Sequence, residues 1–223
     1  MEQLSMLLAT EEAMILGQQL TVDGQWFNRG EVDLDNTSPI NTRFETIAEA
    51  HPTSTAIIHG KDNWTYTQVN ELANQIAHTL RQNGIQKGDF VGVYMERNPL
   101  LVCALLGIIK SGAAYIPLDT QNPTERIEKM MLNSDMAGVI SLENQLKNLQ
   151  NLSTERLFLL DEKGSDWTPT GTPTEWLIVD RKQIDQASTS NPTNENEMDS
   201  WAYLLYTSGS TGEPKGAITR HDG

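Results

Sequence analysis

The sequence predicts an α/β domain in which helices flank a mainly parallel sheet. Short runs of β-branched and aromatic residues, typical of buried strands, alternate along the chain with longer segments whose apolar residues recur at helical spacing. The 223 residues are 38% hydrophobic, which is enough to build a sizeable core. Strands that alternate with helices in this way are most simply joined as parallel neighbours in one sheet.

Four helices are predicted from apolar spacing and from the residues at their ends. Thr42 and Glu45 have the spacing of a capping box, so the first helix should begin around them and stop before Pro52. Apolar residues at helical spacing lead up to Gly84, which is placed to cap the second helix, and the third is apolar enough to be buried. The predicted helices cover residues 41–51, 67–84, 99–112 and 122–131.

Eight strands are predicted, and the first two should pair as a hairpin. They are Thr55–Gly60, Trp64–Tyr66, Phe90–Tyr94, Ala114–Leu118, Ala137–Ser141, Leu157–Leu160, Trp176–Val179 and Ala202–Thr207. Between the last two strands, residues 185–200 are polar and rich in Asn, Ser and Thr, so we expect a surface connection whose acidic residues are solvated.

Residues 1–40 differ from the rest of the chain. They contain one predicted short helix that starts at Thr10, followed by glycines and a run of Asp and Asn that is typical of an irregular linker. We therefore divide the chain into a linker-like segment, residues 1–40, and one partial domain, residues 41–223.

Charge and composition exclude several classes of function. The chain has 30 acidic and 16 basic residues and a formal charge of −14, so it lacks the basic surface of a nucleic-acid-binding protein. The longest apolar run, residues 100–109, is too short to span a membrane, and the acidic N-terminus does not resemble a signal peptide. We expect no nucleic-acid or membrane partner.

Cysteine and histidine usage indicates a cytoplasmic protein without a metal site built from side chains. Cys103 is the single cysteine, which excludes an internal disulfide and a cysteine-based zinc site. Cys103 lies in the buried apolar helix and should be an inert core thiol. His51, His59 and His78 should be solvated, and no histidines stand at ligand spacing.

The loop after the last predicted strand carries the chemistry. Residues 207–216 read TSGSTGEPKG, with three glycines, four hydroxyl side chains and Lys215. Glycines let backbone N–H groups approach an anion, hydroxyls add donors and the lysine adds positive charge, so this composition suits a polyphosphate. The Walker A loop needs Gly before its lysine and Ser or Thr after it, whereas here Pro214 and Gly216 flank the lysine. A flexible surface loop is the alternative reading.

Four segments resemble the adenylate-forming, or AMP-binding, superfamily, which includes acyl-CoA synthetases, luciferases and the adenylation domains of nonribosomal peptide synthetases. Residues 201–216 resemble its AMP-binding signature. Residues 64–69 and 109–119 resemble the two motifs that precede the signature in peptide synthetases, and residues 123–131 resemble the helix between them and the signature. The chain is thus similar to the N-terminal portion of the large subdomain of an adenylation domain, and residues 115–119 favour an amino-acid-activating member.

The resemblance implies a two-step reaction. A carboxylate, here an amino acid, attacks the α-phosphate of ATP, which is bound with Mg²⁺, to give an aminoacyl-adenylate and pyrophosphate. The acyl group then passes to the phosphopantetheine thiol of a partner carrier domain. By the same resemblance Lys215 is the catalytic residue, and the β- and γ-phosphates would be held by Thr207, Ser208, Gly209, Ser210, Thr211, Gly212 and Lys215.

The resemblance also indicates what residues 1–223 can do on their own. Family members carry further motifs after the signature that contact the adenine, the ribose and the amino group, and a later catalytic lysine, so we expect residues 1–223 alone to be inactive. The remainder of an adenylation domain would be a partner, and the isolated chain is expected to be poorly soluble. Two alternatives stay open: a fragment of an acyl- or aryl-AMP ligase or acyl-CoA synthetase, and a non-enzymatic remnant that only binds.

Several further residues are expected to be structural. A packing or turn role is predicted for Trp64, Tyr66, Gly112, Tyr115, Pro117 and Asp119. His221 follows the signature at a place where family members often have His, and it could start a helix, pack in the core or act in catalysis.

Overall fold

The computed structural model describes residues 37–146, 154–161, 177–208 and 214–223, and the backbone of residues 18–20 and 26–28. The strands are β1 Gln18–Leu20, β2 Trp26–Asn28, β3 Thr55–His59, β4 Asp62–Thr65, β5 Phe90–Tyr94, β6 Ala114–Leu118, β7 Gly138–Ser141, β8 Arg156–Leu159, β9 Leu177–Val179, β10 Trp201–Ser208 and β11 Pro214–Arg220. The helices are α1 Ile40–Ala50, α2 Tyr66–Gln82, α3 Pro99–Lys110, α4 Thr124–Asn133, α5 Glu143–Leu146 and α6 Arg181–Ile184.

One seven-stranded sheet organises the chain. Its strand order is β11-β10-β6-β5-β7-β8-β9, and β3–β4 and β1–β2 form separate two-stranded hairpins. Every neighbouring pair in the large sheet is parallel except β10 and β11. The predicted fold class, a mainly parallel sheet flanked by helices, is confirmed.

Helices cover both faces of this sheet. The larger apolar core contains residues of α1, α2 and α3 together with Val91 and Val93 of β5. The second core joins α4 to the opposite face, where Ile116 and Leu118 of β6 point. Within the described ranges, none of the helices combines the length and the apolar character needed to cross a bilayer.

The first predicted capping signal is wrong and a second one was missed. Helix α1 begins at Ile40 after Pro39, without a side-chain cap, so Thr42 and Glu45 do not form a capping box. Instead, the carboxylate of Glu45 pairs with the ammonium of Lys110. Thr65 and Gln68 form the capping box of α2, which is why β4 ends at Thr65 and the helix begins one residue earlier than predicted.

The polar connection 185–200, which we call the strap, lies across α2 and α3. Asn74, fully buried in α2, donates to the carbonyl of Thr189 at 2.7 Å, and Asn196 donates to the carbonyl of Ile109 in α3 at 2.7 Å. The strap is a surface connection, as predicted. Glu195 is exposed, as the prediction of solvated charges requires, and its carboxylate also pairs with Arg81 at 3.3 Å.

The N-terminal predictions are only partly covered. The helix expected from Thr10 lies outside the described residues. Two short strands, β1 and β2, pair antiparallel within the segment expected to be irregular. The domain boundary at residue 41 stays a prediction.

Candidate phosphate-binding site

The predicted phosphate loop joins two antiparallel strands. β10 pairs with β11 so that Thr207 lies opposite Lys215 and Ser208 opposite Pro214. We call β10, β11 and their connection the phosphate hairpin. The predicted ligands Gly209, Ser210, Thr211 and Gly212 lie outside the described residues, and Ser208 is described by its backbone alone. The structure therefore places two of the predicted residues, Thr207 and Lys215, opposite each other on neighbouring strands.

The connection emerges at the carboxyl edge of the sheet. β10 runs parallel to β6, with Tyr203 opposite Tyr115, so it ends at the same edge as β5, β6, β7 and β8. Parallel α/β sheets bind ligands beyond this edge. The loop after the last predicted strand therefore starts at the edge where such sheets bind ligands.

The strand that leads into the loop is held on both faces. On one face, Tyr203 stacks on the buried Tyr115 with ring centroids 5.4 Å apart, and burial raises the pKa of Tyr115 above its usual range. On the other, the Tyr206 hydroxyl donates to the Met130 carbonyl of α4 at 3.3 Å. These contacts fix β10, so the loop starts from a rigid support.

A close approach between β10 and β11 explains why a glycine follows Lys215. A Cβ atom at this position would lie 2.8 Å from Cδ1 of Leu204 and 3.4 Å from the ring of Tyr206. The absence of a side chain therefore lets β11 pack closely over two residues of β10. The sequence analysis counted Gly216 among the glycines of a phosphate loop and used it to exclude a Walker A loop, but it did not predict this close approach.

Lys215 has an available positive charge. It is exposed, and within the described ranges no carboxylate lies at ion-pair distance from its ammonium group. The hydroxyl of Thr207 donates to the Lys215 carbonyl over 3.4 Å, a long contact that ties the two strands together. Pro214, which lacks a backbone N–H, stands at the first position of this outer strand, where a proline removes no essential ladder bond.

The crevice between β5 and β7, at the same edge, is already occupied by protein groups. The hydroxyl of Ser141 donates to the Tyr94 carbonyl across the ends of these strands. At the end of β6, Asp119 accepts from the backbone N–H of Gln121 at 2.9 Å and forms a turn. Asp119 is therefore structural, as predicted.

The remaining candidate residues have structural surroundings. Tyr66 and Tyr115 are buried, and Gly112 has a φ of 89°, a conformation that favours glycine. Cys103 is completely buried, and burial raises the pKa of its thiol to about 12. In the part of the chain that the structure describes, no three His, Cys, Asp or Glu side chains are grouped to hold a metal ion.

The histidines differ in exposure and in hydrogen bonding more than the sequence indicates. His51 is exposed, as predicted, but His78 shares a hydrogen bond of 2.9 Å with the carbonyl of Ser190 in the strap. His221 is buried, and its Nδ1 accepts from the backbone N–H of Ile40 at 3.2 Å. Of the roles left open for His221, the contact supports that of starting a helix, although the helix is α1 and not one that follows His221.

Comparison with known proteins relates the chain to a family of AMP-binding enzymes. The sequence pattern of the family described as "AMP-binding enzyme" matches residues 44–223. Bacitracin synthase 1 of Bacillus licheniformis is 34% identical over 195 residues, covering 87% of this chain and 3% of that protein. Tyrocidine synthase 2 of Brevibacillus parabrevis is 33% identical over 221 residues, covering 99% of this chain and 5% of that protein.

A solved structure agrees with these matches. The crystal structure of the nonribosomal peptide synthetase FmoA3 in its AMPPNP-bound form has a TM-score of 0.67 and 25% identity, covering 85% of this chain and 18% of that chain. The chain thus spans only a small part of the length of the proteins it matches.

Proposed function

The chain belongs to the AMP-binding enzyme family and corresponds to the N-terminal part of the adenylation domain of nonribosomal peptide synthetases; from this we propose that its phosphate hairpin binds the β- and γ-phosphates of ATP during amino-acid activation. One observation carries the proposal. The exposed Lys215, without a carboxylate partner among the described residues, lies opposite Thr207 at the carboxyl edge of the sheet.

The proposed chemistry is adenylate formation. A carboxylate oxygen of the amino acid forms a bond to the α-phosphorus of ATP, while the bond from the α-phosphorus to the bridging oxygen of the β-phosphate breaks and pyrophosphate leaves. Negative charge grows on the leaving pyrophosphate, so donors that are already oriented towards it stabilise the transition state. Lys215 would supply a positive charge, and Thr207 and Ser208 would supply hydroxyl donors. The other proposed donors are Gly209, Ser210, Thr211 and Gly212.

The residues present fit a nucleotide bound with Mg²⁺. In such sites Mg²⁺ keeps several waters and binds oxygens of the phosphates with at most one or two protein carboxylates, so a cage built only from protein ligands is not needed. When bound, Mg²⁺ neutralises charge on the phosphate oxygens. The role of this chain would be to hold and orient the phosphates through Lys215 and the hydroxyl groups.

We further propose partners and a location for the complete enzyme. The alpha-methyl-L-serine-AMP bound form of the peptide synthetase FmoA3 supports an amino acid as the substrate. The resemblance to peptide synthetases implies a phosphopantetheine-bearing carrier domain as the acceptor. The AMPPNP-bound form of FmoA3 supports ATP as the nucleotide. The remainder of the adenylation domain would supply the contacts to adenine, ribose and amino acid. The single buried cysteine is compatible with the cytoplasm, which we propose as the location.

Titration calorimetry tests the proposed site. We expect Mg²⁺-ATP and Mg²⁺-pyrophosphate to bind to the 223-residue chain and to compete with each other, whereas AMP, which lacks the β- and γ-phosphates, binds at least about tenfold more weakly. Lys215→Ala should weaken ATP binding by about tenfold, the loss expected for a hydrogen bond to a charged group. Lys87→Ala, at another exposed lysine, is the matched control and should bind like the wild type.

Two results would contradict the proposal. Equal affinity of Lys215→Ala and wild type would remove Lys215 from the site, and equal binding of AMP and ATP would place the nucleotide contacts away from the phosphates. We also propose that residues 1–223 bind pyrophosphate without completing the reaction. Amino-acid-dependent exchange of labelled pyrophosphate into ATP by this chain alone would contradict that statement.

A further inference from the structure

His221 connects two parts of the chain that are distant in sequence. Its Nδ1 accepts the hydrogen bond from the backbone N–H of Ile40, the first residue of α1, from 181 positions away. Pro39 stands at the cap position of α1 and forms no side-chain hydrogen bond to the helix. The first turn of a helix leaves backbone N–H groups without partners inside the helix. His221 satisfies one of them and takes over the task of the missing cap.

This contact fixes the protonation of the imidazole ring. Because the Ile40 N–H donates, Nδ1 must carry the lone pair and the ring proton must be on Nε2. The residue is 4% exposed, and its Nε2 is buried without a hydrogen-bond partner among the described residues. Burial and the nearby Arg43 lower the pKa of His221 to about 4, against a smaller opposite effect of Asp222. His221 therefore acts as a neutral acceptor at neutral pH.

His221 directly follows β11, the second strand of the phosphate hairpin. Within the described sheet, β11 is an outer strand that pairs with β10 alone. The β10–β11 ladder contains a register shift between Trp201 and Tyr203, near the end of β11. Two backbone bonds lie at the same end: His221 N–H to the Ser200 carbonyl at 3.1 Å, and Asp222 N–H to the Met198 carbonyl at 3.0 Å. The hydrogen bond between His221 and Ile40 thus lies at the irregular end of the β10–β11 ladder.

Register matters here because side chains alternate between the two faces of a strand. A slip of β11 by one residue would turn Lys215 to the opposite face of the sheet and would place the bulk of a side chain where Gly216 now passes over Leu204. We propose that His221 is a positioning residue of the phosphate hairpin, whose bond to Ile40 fixes β11 in the register that places Lys215 opposite Thr207. The effect of His221 on phosphate binding rests on the proposed function, whereas its effect on the register of β11 does not.

Three variants test this proposal. His221→Leu removes the acceptor and keeps an apolar side chain, His221→Asn keeps an acceptor near the position of Nδ1, and His51→Leu is the control at the exposed far end of α1. Amide hydrogen exchange is followed by NMR at Ile40 and in β11. We expect His221→Leu to accelerate exchange at both places by about fivefold, as for the loss of a helix cap, without a change in β5 to β8. His221→Asn should recover most of the protection, and His51→Leu should match the wild type.

Further readouts separate positioning from general stability. Acceleration spread evenly over β5 to β8, or none at Ile40 and β11, would overturn the proposal. If His221→Leu fails to fold, the ring ¹⁵N shifts of the wild type decide, because a proton on Nδ1 would exclude the bond to Ile40. Pyrophosphate affinity should fall by about threefold in His221→Leu and recover in His221→Asn. If the wild type binds no pyrophosphate, the proposed function fails, while the exchange data still decide the role of His221.

Discussion

The surroundings of single residues decide which groups of this chain are available for chemistry. Lys215 and Lys110 illustrate the difference. Lys215 is exposed on an outer strand, whereas the side chain of Lys110 is completely buried and paired with Glu45. Burial lowers the pKa of Lys110, and the bond to Glu45 opposes that effect. One lysine can therefore meet an anionic ligand, and the other holds the fold together.

The thiol of Cys103 should be unreactive in the folded chain. It is completely buried, and its pKa of about 12 leaves almost no thiolate at pH 8. We expect the native chain to react with a disulfide reagent at pH 8 at least about a hundredfold more slowly than the chain unfolded in guanidinium. Rapid labelling of the native chain would show that the helix around Cys103 opens easily.

The stability of the fold should depend on pH through His221. Its pKa of about 4 in the folded chain lies below the ordinary value of 6.5, so the unfolded chain binds the proton more tightly. The contribution of neutral His221 is fully present above pH 6.5 and is lost as the pH falls towards 4. The groups around the ring act in opposite directions, since Arg43 opposes protonation and Asp222 favours it.

Urea unfolding at pH 7 and pH 5 measures this effect. Between pH 7 and pH 5, the free energy of unfolding of the wild type should fall by about 1 to 2 kcal/mol more than that of His221→Asn, which cannot take up the proton. An identical loss in both proteins would show that His221 is not held neutral.

At the scale of the elements, the strap is the least regular part of the fold, yet it is firmly attached. Asn191 accepts from Asn70 and Asn74 of α2, each at 2.9 Å, and from Lys110 of α3 at 3.3 Å. The guanidinium of Arg81 adds a bond to the carbonyl of Thr193 at 3.0 Å. The strap thus links α2 to α3 and leads directly into β10, so its attachment supports the first strand of the phosphate hairpin.

The pair of the buried Lys110 with the partly buried Glu45 should be important for stability. Lys110→Ala leaves the carboxylate of Glu45 without its partner and empties the space of a fully buried side chain, so it should lower the free energy of unfolding by about 2 kcal/mol or more. Arg181→Ala, which breaks the exposed pair of Arg181 with Asp185, is the control and should cost less than about 1 kcal/mol. Equal effects of the two substitutions in urea unfolding would contradict the importance of the buried pair.

Elements with a strong local pattern could be predicted from the sequence. β5 and β6 were predicted at their observed bounds, because each is a short apolar run with an aspartate at one end, Asp89 before β5 and Asp119 after β6. The start of α1 was predicted to within one residue, but its cap was not. The hydrogen bond to its first N–H comes from His221, which is remote in sequence, and Glu45 pairs with the buried Lys110. A local pattern contains no information about such long-range partners.

The candidate site was predictable to a similar degree. The type and order of the residues from 207 to 216 indicate a phosphate site, and the position after a strand indicates the edge of the sheet. The pairing of Thr207 with Lys215 and the close approach at Gly216 were not predicted, because both depend on the antiparallel register of β11. The sequence shows that a strand precedes the loop, but we did not predict the strand that follows it.

At the scale of the whole molecule, the chain combines strong negative charge with outer strands that expose apolar residues. Its formal charge of −14 repels polyphosphates at long range, so a bound nucleotide must be held by local donors. Ile218 on the outer strand β11 is 48% exposed. An outer strand with exposed apolar residues favours pairing with another chain.

We therefore expect the 223-residue chain to self-associate through β11 as its concentration rises. Ile218→Lys should reduce the association measured by sedimentation velocity, because a lysine on an outer strand opposes strand pairing. Leu132→Lys is the control, since Leu132 is 69% exposed on α4 and not on a strand. A wild-type chain that stays monomeric at all concentrations would contradict this expectation.

The measurement that tests the central claim most directly is phosphorus NMR of Mg²⁺-ATP titrated with the chain. If the phosphate hairpin holds the terminal phosphates, the β- and γ-phosphorus signals should shift and broaden with the wild type, and Lys215→Ala should abolish most of this change while its fold is unaltered. Unchanged β- and γ-signals with the wild type, or identical shifts with Lys215→Ala, would contradict the assignment of this hairpin as the phosphate site.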